Sequence, residues 1–104
     1  MIPTTLASFM GKLFSETEKG NFQWFPSEQD SYFCNHKEFT LHISRYYDPD
    51  REIDSFHFNL INGLVQSPFS VYDTESDYSF MRNFFQAVIM NANGIARALD
   101  GFFD

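Results

Sequence analysis

The stretch FTLHISRYYDPDREIDSFHFNLI, residues 39–61, decides the fold, because apolar and polar residues alternate on both sides of a proline-containing turn. Alternation with a period of two is typical of a β-strand that buries one face. The two halves therefore predict an antiparallel hairpin. The predicted inner face consists of Phe39, Leu41, Ile43, Phe56, Phe58 and Leu60.

The loop of this hairpin is predicted at residues 48–51. Asp48 then occupies the first position of a type I turn and Pro49 the second, as such turns prefer. With this loop Tyr47 faces Glu52. The same register pairs Leu41 with Phe58, Ile43 with Phe56, Arg45 with Asp54 and His42 with His57. A register shifted by two residues is the competing interpretation.

More strands are predicted on both sides of this hairpin. Asn62-Gly63 is a strong turn signal and leads into a strand over residues 64–72, where Pro68 favours an edge position or a break. Upstream, the aromatic segments 21–25 and 31–35 flank the polar loop PSEQD, residues 26–30, and predict a short hairpin. The chain therefore predicts a meander of about four to five short strands.

Helical spacing appears at both ends of the chain. Apolar residues at positions 6, 9, 10, 13 and 14 form one stripe, which predicts a helix over about residues 4–18. A long second helix is predicted to begin near Asp73 or Thr74 and to continue toward Ile95 and Leu99, where Gly94 can kink or divide it. We expect Leu6, Phe9, Leu13, Phe80, Phe84 and Val88 to cover the sheet.

These elements predict an α+β fold in a single domain, residues 1–104. An N-terminal helix precedes the antiparallel meander, and a long C-terminal helix packs on one face of the sheet. Segregated helices and antiparallel strands are typical of such two-layer domains. A chain of 104 residues is long enough for one core and too short for two.

Composition narrows the function classes. The chain has 14 acidic residues against seven lysines and arginines, a net charge of −7, and 14 phenylalanines. Such a chain is too apolar for a disordered protein, and its charge repels nucleic acids and anionic membranes. The chain has a single cysteine, no uninterrupted apolar run of about 20 residues, and a start that lacks the basic n-region of a signal peptide. We therefore expect a soluble, complete, cytoplasmic chain.

The acidic residues are predicted to gather at one end of the sheet. Alternate connections of a meander lie at the same end, since each strand reverses direction. The first, third and fifth connections carry most of the acids, whereas the other two, interpreted as Asn35-His36 and Asn62-Gly63, carry none. Ordinary turn chemistry and solubility explain this clustering as well as a docking surface does.

If the acidic end is a docking surface, aromatic side chains near it would contribute to binding. Trp24 and Tyr78 are also considered for this role. The predicted partner-binding residues are Glu28, Asp30, Tyr46, Tyr47, Asp48, Asp50, Glu52, Asp54, Tyr72, Asp73, Glu75 and Asp77.

Catalytic and metal chemistry find little support in the sequence. His42 and His57 would supply only two ligands across a strand pair, whereas a catalytic zinc site usually has three protein ligands. Cys34 and His36 lack a residue that would orient the histidine, and no phosphate-binding or calcium-binding loop is present. We therefore predict no metal, no cofactor and no enzymatic activity.

The leading hypothesis is a small acidic inhibitor that docks on the basic, nucleic-acid-binding surface of a protein partner. Phages and mobile elements use inhibitors of this size and charge against CRISPR and restriction complexes. The comparison is an analogy of size and charge and rests on no shared motif. The alternative is an immunity protein or a secretion chaperone that binds one cognate toxin or effector. Homodimer formation is left open.

Overall fold

The computed structural model describes residues 1–94, 99 and 101–103. Its elements are, in chain order, α1 (Thr4–Glu18), β1 (Phe25–Pro26), β2 (Ser31–His36), β3 (Phe39–Asp48), β4 (Ile53–Asn62), β5 (Val65–Tyr72) and α2 (Tyr78–Ala92). The strands form one antiparallel sheet in the order β1-β2-β3-β4-β5, with α2 packed on it. The predicted α+β meander between two helices is confirmed.

The second helix differs from its predicted limits. It begins at Tyr78, five residues beyond Asp73, and is followed by Gly94 at φ +68°, a left-handed conformation that commonly terminates helices. The predicted continuation to Ile95 lies outside the described residues. Within the described part of the chain, neither helix has the length and apolar character needed to cross a membrane.

The predicted register between β3 and β4 is wrong by two residues, and the competing register is the observed one. Leu41 faces Leu60, Ile43 faces Phe58, and Tyr47 faces Asp54 in place of Glu52. Because the error is an even number of residues, every side chain keeps its predicted face. The inner and outer faces therefore follow the prediction although the individual pairs do not.

The conformation of Glu52 accounts for the shift, whereas Asp48 holds the predicted turn in place. The Oδ1 of Asp48 accepts hydrogen bonds from the backbone N–H groups of Asp50 at 3.0 Å and Arg51 at 3.4 Å. Asp48 is the last residue of β3 and pairs with Ile53, so the loop comprises residues 49–52. Glu52 closes it at φ +54°, an unusual conformation for a residue with a side chain.

The first strands and their turn also differ from expectation. The aromatic segment 21–25 forms only the start of β1, which comprises Phe25–Pro26. The turn between β2 and β3 consists of Lys37 and Glu38, since His36 and Phe39 are still paired. The statement that this connection carries no acid is therefore wrong, and Glu38 lies at the end opposite the acidic loops.

An aromatic core fills the space between the sheet and the helices. Phe84 of α2 lies at its centre: its ring centroid is 5.9 Å from those of Phe14 and Trp24 and 6.4 Å from those of Phe58 and Phe80. The fully buried residues also include Met10, Cys34, Ile43, Phe56, Val71, Met81 and Val88. This cluster joins α1, α2 and the inner sheet face into one core.

Three aromatic residues depart from their predicted environments. Phe9 and Phe39, expected in the core, are 39 % and 38 % exposed. Trp24, considered for an interface, is fully buried, and its indole Nε1 donates to Thr17 Oγ1 at 3.1 Å. Trp24 is therefore a core residue, and an indole buried with its N–H satisfied contributes to stability.

One side chain of α2 connects three distant segments. Asn91 Oδ1 accepts from the backbone N–H of Trp24 at 2.8 Å, and its Nδ2 donates to the carbonyls of Phe22 and, at 3.2 Å, Thr17. Without Asn91, the backbone N–H of Trp24 and the carbonyl of Phe22 would lose these partners inside the protein. Asn91 thus fixes how the chain passes from α1 to the sheet.

Pro68 lies in β5, which forms an edge of the sheet, as predicted. The Ser70 carbonyl accepts a hydrogen bond from the amino group of Met1, so it points away from β4. Alternate residues point the same way, and the nitrogen of Pro68 therefore faces the open edge, where no ladder donor is needed. A proline in this position also hinders pairing with the edge of another sheet.

Candidate functional site: an acidic end of the sheet

Loops at one end of the sheet bring nine acidic residues together. The backbone N–H of Arg45 donates to the carbonyl of Asp30 at 3.0 Å, and that of Asp73 donates to the carbonyl of Asp54 at 2.9 Å. These contacts place the ends of β3 and β5 beside the starts of β2 and β4. We call this set the acidic rim; its members are Glu28, Asp30, Asp48, Asp50, Glu52, Asp54, Asp73, Glu75 and Asp77.

Asp54 is the buried member of the acidic rim, with 7 % of its surface exposed. Its carboxylate accepts from Arg45 Nε at 3.0 and 3.1 Å and from Arg45 Nη2 at 3.0 Å. The hydroxyl of Tyr78 donates to the same carboxylate. All of these contacts are internal, so the Asp54 carboxylate stabilises the fold, and its role in partner binding stays a prediction.

This arrangement controls the protonation of Asp54. Burial alone would raise the pKa of its carboxyl, but the hydrogen bonds from Arg45 and Tyr78 outweigh burial, and the pKa is lowered. Burial and the hydrogen bond to Asp54 both raise the pKa of the Tyr78 phenol. Near neutral pH the carboxylate is therefore ionised and the phenol protonated, which suits a structural ion pair.

Four other acids of the rim stabilise local structure. Asp48 caps the β3–β4 loop as described above, and Asp73 Oδ2 accepts from the backbone N–H of Asp54 at 3.0 Å. Glu75 accepts from the backbone N–H of Tyr72 at 3.1 Å and lies 2.6 Å from the amino group of Met1. Asp77 Oδ2 accepts from the backbone N–H of Ile2 at 2.9 Å.

The remaining four acids have no such role. Among the described residues, the side chains of Glu28, Asp30, Asp50 and Glu52 form no hydrogen bond or salt bridge, and all four residues are exposed. We call these four the free acids, because none of their carboxylates bonds to any turn that the structure describes. Asp30 takes φ +51°, a left-handed conformation that aspartate tolerates. The hydrogen bond to Asp54 raises the pKa of Arg45, and the charge of Asp30 helps to raise it further. The exposed carboxylates of the other three have no local role in the described part of the fold.

Tyrosines border the free acids on both faces of the sheet. Tyr46 and Tyr72 are 56 % and 45 % exposed and flank Ser55 on the outer face, which neither helix covers. Tyr47 is 52 % exposed and points to the opposite face, beside Asp54. Tyrosine is enriched among the residues that contribute most to binding in protein interfaces.

The predicted opposition of His42 and His57 is wrong, because the shifted register places His42 opposite Asn59. His57 faces Ser44, and its Nδ1 lies 2.7 Å from Ser70 Oγ. Within the described residues, no group of three or more histidines, cysteines or acids is arranged to hold a metal ion. That the protein contains no functional metal remains a prediction, which elemental analysis after dialysis against a chelator would check.

A chain of hydrogen bonds on the outer face was not predicted. Ser55 Oγ lies 3.2 Å from His57 Nε2, and His57 in turn contacts Ser70. The i, i+2 spacing of Ser55 and His57 places them on one strand face and could have indicated this contact. Ser55 is only 3 % exposed and its hydroxyl also donates to the Tyr46 carbonyl, so a substrate could not reach it.

Cys34 and His36 do not form a nucleophilic pair. Cys34 is 1 % exposed within the core, and burial raises the pKa of its thiol. A protonated, inaccessible thiol is a poor nucleophile. His36 lies two residues further along the strand, and its ring packs edge-on against Phe22 with ring centroids 4.8 Å apart.

Comparisons with known proteins give no indication of function, so the function is inferred from the geometry described above. No protein-family model matches the chain, and neither a curated protein nor a solved structure is significantly similar to it.

Proposed function

We propose that the protein is a non-enzymatic binding protein that docks its acidic rim on a basic, nucleic-acid-binding surface of a protein partner. The observation that carries the proposal is the set of free acids, Glu28, Asp30, Asp50 and Glu52, which are exposed and without internal bonds. Concentrating like charges opposes the compact state, so carboxylates that no turn requires point to a use outside the fold.

Exposed aromatic residues support the same surface. Tyr46 and Tyr72 lie on the outer face and Tyr47 on the inner face, so rings are available on both sides of the β3–β4 loop that carries Asp50 and Glu52. Tyrosine provides a large contact area with few rotatable bonds, and its ring attracts the guanidinium groups common in nucleic-acid-binding sites. The free acids would steer the partner, and the tyrosines would hold it.

Inhibition would follow from competition, because a surface covered by the acidic rim cannot bind nucleic acid. A protein of this kind suits a phage or mobile element that blocks a CRISPR or restriction complex. An immunity protein or secretion chaperone would use the same surface on a toxin or effector. The identity of the partner separates the two: the first predicts a nucleic-acid-handling complex whose DNA or RNA is displaced.

Removing two free acids is expected to slow association with the partner. A variant carrying Asp50→Asn and Glu52→Gln should associate about three- to tenfold more slowly at low salt, since steering depends on the summed field of the rim. The difference should shrink as salt rises. The partner is first isolated with the tagged wild-type protein from its native host, and rates are then measured at two salt concentrations.

A charge-matched control carries Glu18→Gln and Glu38→Gln, two exposed acids outside the rim. It loses the same charge and should retain a rate near that of the wild type. Thermal melting of both variants checks that the fold is unchanged. Equal rates for the rim variant and the wild type at low salt would contradict the proposal.

A further inference from the structure

An apolar pocket lies at the end of the sheet opposite the acidic rim. It has a volume of about 250 Å³ and lies between α1 and the inner face of the sheet. An apolar cavity of about 150 Å³ already accommodates benzene, so this pocket has room for a branched aliphatic side chain. The lining residues are Leu6, Phe9, Leu13, Phe22, His36, Phe39, Leu41 and Leu60.

Two exposed apolar side chains lie at the same end of the sheet. Leu64 is fully exposed at the tip of the β4–β5 turn, and Val65 beside it is 67 % exposed. The turn contains only two residues, with Gly63 at φ +62° as type II′ turns require, so the position of Leu64 is well defined. Strand pairing places Phe39, Asn62 and Val65 in one row, and Leu64 lies immediately beyond it.

We propose that this end binds a second copy of the chain, with Leu64 of each copy inserted into the pocket of the other. A two-fold interface uses the same patch on both molecules and must therefore be complementary to itself. A patch with an exposed leucine beside an apolar pocket meets that requirement. The contact would also cover Phe9 and Phe39, which are partly exposed in the single chain.

The distribution of charge permits this occupant. The turns at this end carry Lys37 and Glu38, which balance each other, whereas the acidic rim lies at the far ends of β3 and β4. Each of these strands has ten residues and spans about 33 Å. Two rims joined through the apolar end are thus separated by far more than the ~8 Å Debye length at physiological salt, and their repulsion is screened.

Sedimentation equilibrium of the wild-type chain, over a concentration series up to several hundred micromolar, tests the proposal. We expect a reversible monomer–dimer equilibrium. Leu64→Asp should weaken dimerisation at least about tenfold, since it would place a carboxylate in an apolar pocket. Leu6→Trp, which fills the pocket from α1, should weaken it similarly. Ser27→Asp adds the same charge at an exposed position of the β1–β2 loop, at the other end of the sheet, and should leave dimerisation unchanged.

Melting curves verify that each variant folds, and Leu64→Asp should fold normally because the leucine makes no buried contact. A wild-type chain that stays monomeric throughout the concentration series would overturn the proposal. So would a dimer that persists with Leu64→Asp. Native mass spectrometry that finds monomers carrying a small apolar compound would instead assign the pocket to that compound and also overturn the dimer.

Discussion

Replacing Phe84 with alanine is expected to lower the free energy of unfolding by about 3–5 kcal/mol, the range measured for large aromatic residues truncated in protein cores. Phe84 is fully buried and its ring contacts those of Phe14, Trp24, Phe58 and Phe80. The substitution would leave a cavity where α1, α2 and the sheet meet. None of these neighbours can fill it without leaving its own contacts.

Urea unfolding at pH 7 measures this loss. Phe103→Ala is the matched control, because the same side chain is removed at a position that is 92 % exposed. We expect the control to change stability by no more than about 0.5 kcal/mol. Equal effects of the two substitutions would show that α2 does not pack on the sheet as described.

Asp54→Asn is expected to cause the second large loss in the free energy of unfolding. The change keeps the size of the side chain but removes the charge that accepts hydrogen bonds from Arg45 and Tyr78. Hydrogen bonds to charged groups contribute about 1.5–3 kcal/mol, and Arg45 can still be hydrated because nearly half of its side chain is exposed. We therefore expect a loss of about 2 kcal/mol at pH 7 by urea unfolding.

The loss should depend on pH in a defined direction. The folded-state pKa of Asp54 is lowered, so its stabilising effect is fully present above the unfolded-state value of about 3.9 and declines as pH falls through the folded-state value. The stabilities of wild type and variant should therefore begin to converge as pH falls below about 4 and should coincide only below the folded-state pKa of Asp54. Asp50→Asn, which removes a free acid, should match the wild type throughout. A difference in stability between wild type and Asp54→Asn that stays constant down to pH 2 would contradict the assigned ion pair.

The faces of the sheet could be predicted from the sequence because they depend only on the alternation of side chains. Leu41, Ile43, Phe56 and Phe58 are buried although each pair was assigned to the wrong partner. An even shift in register changes partners and preserves faces, and the apolar pattern alone does not distinguish the two registers. The left-handed conformation of Glu52, which keeps this residue in the loop and leaves Asp48 to pair with Ile53, decides between them.

The division of the acidic rim could not be predicted in the same way. Asp50, which is a free acid, and Asp54, which is buried, are both aspartates and lie only four positions apart in the chain. What separates them is contact with Arg45 on the adjacent strand and with Tyr78, which is 24 residues away in sequence. Likewise, Trp24 is buried because Asn91 and Thr17 satisfy its backbone and indole N–H groups, and neither contact has a local sequence signal.

Cys34 gives the chain a built-in reporter of core motion. It is the only cysteine, lies on the inner face of β2, and is 1 % exposed. A thiol reagent can therefore react only when β2 separates from its neighbours, and the labelling rate would follow the frequency of that opening. Comparing the rate with that of global unfolding would reveal whether the short β1–β2 side of the sheet opens independently of the long β3–β4 hairpin.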